Sequence, residues 1–259
     1  MTAALHSGAH QQAKAADIPA DVTVCITSCG RLDLLARTME SFQRFNPGGR
    51  FIISEDSGDA AIIDEVRRSY PAAKILTSTG KTGVMASIDR LYAHVETPFI
   101  FHLEDDWGFD GPVQWEAAKH VLTHRPDVAN ICVRAFDEVR TKYRQRSEEF
   151  EHDGVVFRRM LPDAHPEFFG WTPNPGLITK AMYLRYAPFA RVYPDTMSQI
   201  IKTDGATVAY LLPGVARHIG HGRNVPDPTI PARPKGKVAK LVRGFKKKLY
   251  YWGLRKDPY

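Results

Sequence analysis

Cysteine is scarce in this chain, with three among 259 residues (Cys25, Cys29 and Cys132). That is too few for a disulfide framework, and the spacing fits no zinc site. Cys25 and Cys29 both fall in "VTVCITSC", where they read as small core residues in a reducing cytosol. No run reaches eighteen apolar residues, which excludes a transmembrane helix. The first twenty residues, "MTAALHSGAHQQAKAADIPA", lack the apolar centre and cleavage site of a secretory signal. They are expected to form a mostly disordered leader. Internal repeats and linkers are absent too, so residues 21–228 are expected to fold as one domain.

What remains is an ordinary globular composition, 43% apolar and 25% charged. The net charge of +6 is unevenly placed. Residues 233–257 hold ten basic side chains against Asp257 alone, which makes that segment +9 and leaves the rest of the chain at −3. A mildly acidic globule with a basic tail needs two explanations.

Along the globule, apolar β-branched runs alternate with helical spacings. "DVTVCITSC" predicts a first buried strand, and "GRLDLLARTMESFQRF" a helix with Leu34, Leu35, Thr38, Met39 and Phe42 on one face. "RFIISEDSGD", "AKILTST" and "FIFHLEDDWGF" supply further strands, separated by the helices "AAIIDEVRRSY" and "VMASIDRLYAHV". The alternation predicts an α/β fold with a largely parallel sheet flanked by helices. Later, "GPVQWEAAKHVLTHRP" predicts a helix opening near Pro112, and "VANICVRAF", "GVVFRRML" and "ATVAYLLPG" predict strands. Residues 137–153 are expected to be a charged piece, helical or mobile. "HPEFFGWTPNPGLITKAMYLRYAPF" predicts a loop leading to a helix, and "DTMSQIIKTDG" a helix stopped at Gly205.

The strand "FIFHL" runs straight into Glu104, Asp105 and Asp106. Three adjacent carboxylates repel one another and resist leaving water, so a cation is expected beside them. Mg²⁺ or Mn²⁺ suits oxygen donors of this kind. In an extended backbone Glu104 and Asp106 point to one side and could share an ion, with Asp105 facing elsewhere. Asp56 ends another strand, and parallel sheets bind ligands beyond such ends. In "RHIGHGRN", His218 and His221 could add nitrogen ligands; the alternative is two polar loop histidines. Trp107 and Trp171 are each either a platform for a sugar ring or a core side chain.

The order of these motifs resembles that of GT-A glycosyltransferases, most similar to the family 2 type. "VTVCITSCGRLDLLARTMESF" is similar to the family's opening strand, loop and helix, and "ISEDSGD" to its second strand, implicating Asp56 in base binding. "GKTGVMASIDRLYAHVETPFIFHLEDDW" resembles the approach to the D-x-D metal motif, with Glu104 and Asp106 at the outer positions. "PDTMSQIIKTDGATVAYLLPGVARHIGHG" resembles the segment carrying the acceptor-activating base, which implicates Asp195, with Glu167 as the alternate. The resemblance implies a Mn²⁺- or Mg²⁺-dependent transfer of sugar from a nucleotide donor to a glycan or lipid-linked hydroxyl, with inversion. Ser28, Asp105 and Lys81 join Asp56 as the expected nucleotide contacts. A nucleotidyltransferase, a metal-dependent hydrolase and a non-catalytic adaptor are the competing expectations; "SCGRLDLL" matches the nucleotidyltransferase loop poorly.

In the tail (residues 229–259), Val238, Leu241, Val242, Phe245, Leu249 and Trp252 share one helical stripe, with Lys and Arg largely off it. An amphipathic helix with that pattern is expected to lie on an anionic membrane, placing the protein at the cytoplasmic face of the bilayer. Docking on the domain and contact with nucleic acid are the other two readings, and no nucleic-acid partner is expected.

Overall fold

The structure, a computed structural model, describes residues 14–231 and 234–255. The first half alternates as its sequence patterns demand: β1 (Val22–Ser28), α1 (Leu32–Phe45), β2 (Arg50–Glu55), α2 (Ala60–Ser69), β3 (Lys74–Thr77), α3 (Val84–Tyr92) and β4 (Phe99–Glu104). There follow β5 (Trp107–Phe109), α4 (Trp115–His124), β6 (Val128–Cys132), α5 (Thr141–Arg144), β7 (Ser147–His152) and β8 (Val155–Met160). Then come β9 (Gly176–Thr179), α6 (Lys180–Tyr186), α7 (Pro194–Thr203), β10 (Thr207–Leu211) and β11 (Ala216–His218).

One nine-stranded sheet has the order β3-β2-β1-β4-β9-β6-β10-β8-β7. The pairings β1 with β2, β2 with β3, β1 with β4 and β6 with β10 are parallel, and β9 runs antiparallel between β4 and β6. The strands β1, β2, β3, β4, β6 and β10 thus deliver their carboxyl ends to a single edge. β1 is buried at every position, as a strand covered on both faces must be. Alternation along β4 sends Phe101 and Leu103 into a core with α1 and α4, where Phe42 stacks on Phe101 at 5.4 Å and Trp115 meets Phe101 at 5.1 Å. Ile100 faces the other core, built with Met85, Tyr92, Tyr183, Phe189 and Met197 from beneath α3, α6 and α7.

Several expectations require correction. Ile18 is buried in the main core, and Ala16 and Ile18 donate backbone hydrogen bonds to Phe45 (2.9 Å) and Pro47 (3.0 Å). The supposed leader therefore joins the fold from Ala16; residues 1–13 lie outside those described. Within residues 137–153, Thr141–Arg144 are helical, one of the two alternatives expected, whereas Ser147–His152 form β7, hairpinned to β8. α4 starts at Trp115, three residues after Pro112. The short strands β5, β9 and β11 had no sequence signal. The main unit closes at Asn224, four residues before the expected boundary.

The second unit, Val225–Tyr259, contains α8 (Lys237–Tyr251). Val238, Leu241 and Phe245 on this helix are 75%, 76% and 58% exposed, and Trp252 beyond it 66%. Arg233, Lys256 and Asp257 of the basic count lie outside the described residues. Among the described residues no helix is long and apolar enough to cross a membrane.

His102, in the middle of β4, is buried with neither ring nitrogen hydrogen-bonded, its ring edge-on to Tyr92 at 5.7 Å. Burial brings its pKa down to about 3. Between the unfolded value near 6.5 and that value the unfolded chain binds a proton that the folded chain does not. Stability is therefore whole above pH 6.5 and falls on acidification by about 1.4 kcal/mol per pH unit from this group. Urea unfolding of His102→Leu between pH 5 and 7 is expected to lack that increment of slope; an unchanged slope would assign it elsewhere.

Candidate functional site

The turn after β1 holds the central side chain of the site. Gly30 adopts φ +76°, a conformation that favours glycine, and its N–H donates to Glu55 Oε1 at 3.0 Å. That bond ties the ends of β1 and β2 together and sets the direction of the next residue, Arg31. The Arg31 guanidinium grips both Asp105 and Asp106. Nε lies 3.3 Å from Asp105 Oδ2, Nη2 bonds Asp105 Oδ1, and Nη1 lies 2.7 Å from Asp106 Oδ2. Ser28 Oγ (3.3 Å) and the Cys29 N–H (3.4 Å) also donate to Asp105 Oδ2.

The loop after β10 completes this corner. β11 pairs antiparallel with β5, His218 opposite Trp107, and Ile219 N–H donates to the Asp106 carbonyl at 2.8 Å. His218 Nε2 then stands 3.3 Å from Asp106 Oδ2, with the His221 ring 4.8 Å from that of His218. A Cβ on Gly220 would come within 2.5 Å of Asp106 Oδ2, so only glycine lets the loop pass over the carboxylate. Arg223 fastens the loop to the start of α1 through Asp33, at 2.5 and 2.8 Å, and its carbonyl accepts from Arg31 Nη1 at 3.2 Å.

The acids differ sharply in environment. Burial raises Asp105 to about 6, against the opposing pull of Arg31. Burial raises Glu104 further, to about 8, helped by the charge on Asp106 and opposed by the hydrogen bond from Trp107 Nε1 at 3.1 Å. The expectation that Asp105 faces away from Asp106 is corrected. The chain turns after Glu104, which sends Asp105 and Asp106 together onto Arg31 and leaves Glu104 against Trp107.

Asp56 ends its strand at the same edge, but all its acceptor capacity is in use. Ser78 Oγ (2.7 Å), Thr82 Oγ1 (2.5 Å), Thr82 N–H (2.8 Å) and Gly83 N–H (3.0 Å) donate to it, and Arg90 sits 3.4 Å away. Burial alone would raise its pKa, yet these bonds outweigh it and hold the carboxyl below its ordinary value. Asp56 thereby organises the loop 78–83. Lys81 on that loop is exposed, and its charge acts on Cys29, where burial raises the thiol pKa and Lys81 opposes the rise.

The two candidate bases part company. β10 runs parallel to β6, so α7 ends at the edge opposite the acids, and its first turn, with a buried Asp195, is directed back toward them. Glu167 lies beside Lys202 in the last turn of α7. Lys202 Nζ reaches the carbonyls of His165 (2.5 Å) and Pro166 (3.0 Å), and burial lowers its pKa to about 8 against the charge of Glu167. At about 1.5 Å per residue, the turns are about 10 Å apart. Glu167 thus neighbours the end of α7 away from Asp195. Trp171, 3% exposed and edge-on to Phe189 at 5.0 Å, and Trp107, 2% exposed, are both core side chains.

Two of the expected metal donors fit an ion together. Neighbouring ligands of an octahedral ion bound at about 2.1 Å lie about 3 Å apart, close to the 3.3 Å between Asp106 Oδ2 and His218 Nε2. Among the described residues no group of three His, Cys, Asp or Glu is arranged to hold an ion. A Mn²⁺ or Mg²⁺ held here would draw its other ligands from a substrate phosphate and water. Arg31 is the residue that the sequence reading missed. Its signal was indirect: consecutive acids need a resident cation, and Arg31 follows the strand paired with theirs.

No protein-family model matches the chain, and no curated protein matches its sequence. Solved structures do match. GalNAc-T7, crystallised with UDP, GalNAc and Mn²⁺, aligns over 88% of this chain and 48% of its own, with 12% identity and a TM-score of 0.55. S. aureus TarS 1–349 aligns over 73% of this chain and 57% of its own, with 12% identity and a TM-score of 0.49. The chain spans about half the length of these structures. The likeness to GalNAc-T7 shows the fold, that of the GT-A glycosyltransferases.

Replacing Asp56 with Ala would strip four donors and leave Arg90 without its carboxylate. A loss of about 2–4 kcal/mol is expected in chemical unfolding, with faster hydrogen exchange over residues 78–83. Wild-type exchange rates there would show that the loop holds itself.

Proposed function

We propose that this chain is a metal-dependent glycosyltransferase, moving a sugar from a nucleotide-sugar donor to a hydroxyl acceptor with inversion. The observation that carries this reading is the convergence of Arg31, Asp105, Asp106 and His218 at the carboxyl edge of β1 and β4, in a fold of the GT-A type. The same edge binds nucleotides in open α/β sheets generally. GalNAc-T7 was crystallised with UDP and Mn²⁺, which supports UDP as the first nucleotide to test.

Asp106 and His218, with His221 alongside, would hold Mn²⁺ or Mg²⁺. The ion's contribution is to offset charge building on the diphosphate as the glycosidic bond breaks. Arg31, largely buried, and Lys81, exposed on its loop, supply positive charge to the same oxygens. Ser28 at the end of β1 and Asp105 just beyond β4 face the nucleotide, and Asp56 acts by fixing the loop that presents Lys81. Asp195 accepts the acceptor hydroxyl's proton as the oxygen attacks the anomeric carbon. Attack opposite the leaving diphosphate inverts that centre.

The exposed apolar stripe and basic residues of α8 support binding to an anionic membrane, which fits a lipid-linked acceptor in cell-surface glycan synthesis at the cytoplasmic face. Each Lys or Arg near such a surface contributes about 1 kcal/mol.

Thermal unfolding tests the donor site: UDP is expected to raise the midpoint only with Mn²⁺ or Mg²⁺ present, and Asp106→Asn to abolish that rise. Asp195→Asn is expected to keep the rise and lower kcat at least about 100-fold; transfer at the wild-type rate would move the base elsewhere. Removing residues 229–259 is expected to end sedimentation with anionic liposomes while preserving UDP binding. Sedimentation of the shortened chain would refute the membrane role.

A further inference from the structure

Asp106 Oδ2 carries two partners from the chain itself, Arg31 Nη1 at 2.7 Å and His218 Nε2 at 3.3 Å. Asp105 is still more occupied, with the Arg31 fork, Ser28 Oγ and the Cys29 N–H all upon it. We infer that Arg31 is the site's resident cation and makes metal binding conditional on a nucleoside diphosphate. This rests on the function proposed above and adds an order of binding to it.

The argument is one of shared oxygens. An ion ligated by Asp106 Oδ2 and His218 would face the guanidinium across a single atom, with like charges opposed in a site that excludes most water. Arg31 cannot relieve this by losing its proton, because a guanidinium stays charged in proteins. It has to turn away, and without a ligand nothing rewards the turn: it would abandon both buried carboxylates at once. A diphosphate supplies the missing partner. Its oxygens match the planar fork of the guanidinium, and its negative charge arrives beside a side chain that is 17% exposed and so reachable. Arg31 on the diphosphate leaves Asp106 Oδ2 and His218 Nε2 open together, and the phosphate oxygens complete the ligand set.

The same movement releases a second bond. Arg31 Nη1 donates to the Arg223 carbonyl at 3.2 Å, so its departure loosens the loop that crosses Asp106 at Gly220. Coupling between two ligands is reciprocal, and the metal must strengthen nucleotide binding by the factor that the nucleotide strengthens metal binding.

Titration of the full chain with Mn²⁺, following the free ion by electron paramagnetic resonance with and without saturating UDP, tests this. Wild type is expected to bind Mn²⁺ at least about tenfold more tightly with UDP. Arg31→Gln is expected to bind Mn²⁺ alone at least about tenfold more tightly than wild type does, with little further gain from UDP. Arg31→Lys, which keeps the charge without the fork, is expected to fall between them and serves should the glutamine variant fail to fold by circular dichroism. The inference is overturned if wild type binds Mn²⁺ alone as tightly as either variant, or if the effect of UDP is undiminished in both. Failure of wild type to bind Mn²⁺ even with UDP would instead remove the nucleotide–metal reading, and this inference with it.

Discussion

The architecture of the acidic edge depends on one guanidinium holding two carboxylates that the fold has taken largely out of water. Arg31 reaches Asp105 and Asp106 across 74 and 75 residues of sequence, and every other polar feature of the corner is arranged around that grip. A buried ion pair seldom outperforms a well-packed apolar substitute, whereas removing one partner costs about 3–5 kcal/mol. Such a cluster is therefore poor evidence of stability and better evidence of use. The surrounding framework supports it from several directions: Glu55 fixes the Gly30 turn, Ser28 and Cys29 steady Asp105, and the β5–β11 ribbon holds His218 over Asp106.

Gathering these groups requires the mixed sheet. β9 enters antiparallel between β4 and β6, yet leaves the carboxyl ends of β1, β2, β4, β6 and β10 on one edge. Arg134, just beyond β6, lies over the Trp107 ring at 5.5 Å and bonds Glu138 and Asn174, linking a third loop to the acidic corner. The two apolar cores on either face of β4 keep this edge rigid. Its polar residues can then be held in geometries that cost them solvation.

Much of the frame was legible from residue order. β1, β2, β3, β4, β6, β8 and β10 stand where β-branched runs stood, and α1 buries the five residues whose spacing marked its inner face. The acids, Asp56 and the two loop histidines were visible because charge beside an apolar strand end is conspicuous. What stayed hidden was set by distant partners. β9 has only four residues and owes its strand form to neighbours on both sides, and β7 is charged along its length because it is an edge strand. Asp105 was expected to face away from Asp106 because strict alternation was extended past Glu104, where the strand ends. The importance of Arg31 had no local signature at all, since nothing in "CGRL" reports two carboxylates that come into reach only after β4 is laid beside β1.

The loop from His218 to Arg223 closes over a corner whose other members come from the first 106 residues. During synthesis, the amino-terminal strands can assemble as they emerge from the ribosome, and Arg31 can neutralise the acids at once. The imidazole of His218 arrives 112 residues after Asp106, and the glycine crossing just behind it. A chain that has reached β4 but not this loop would thus have Arg31 on its two carboxylates and lack the imidazole beside Asp106.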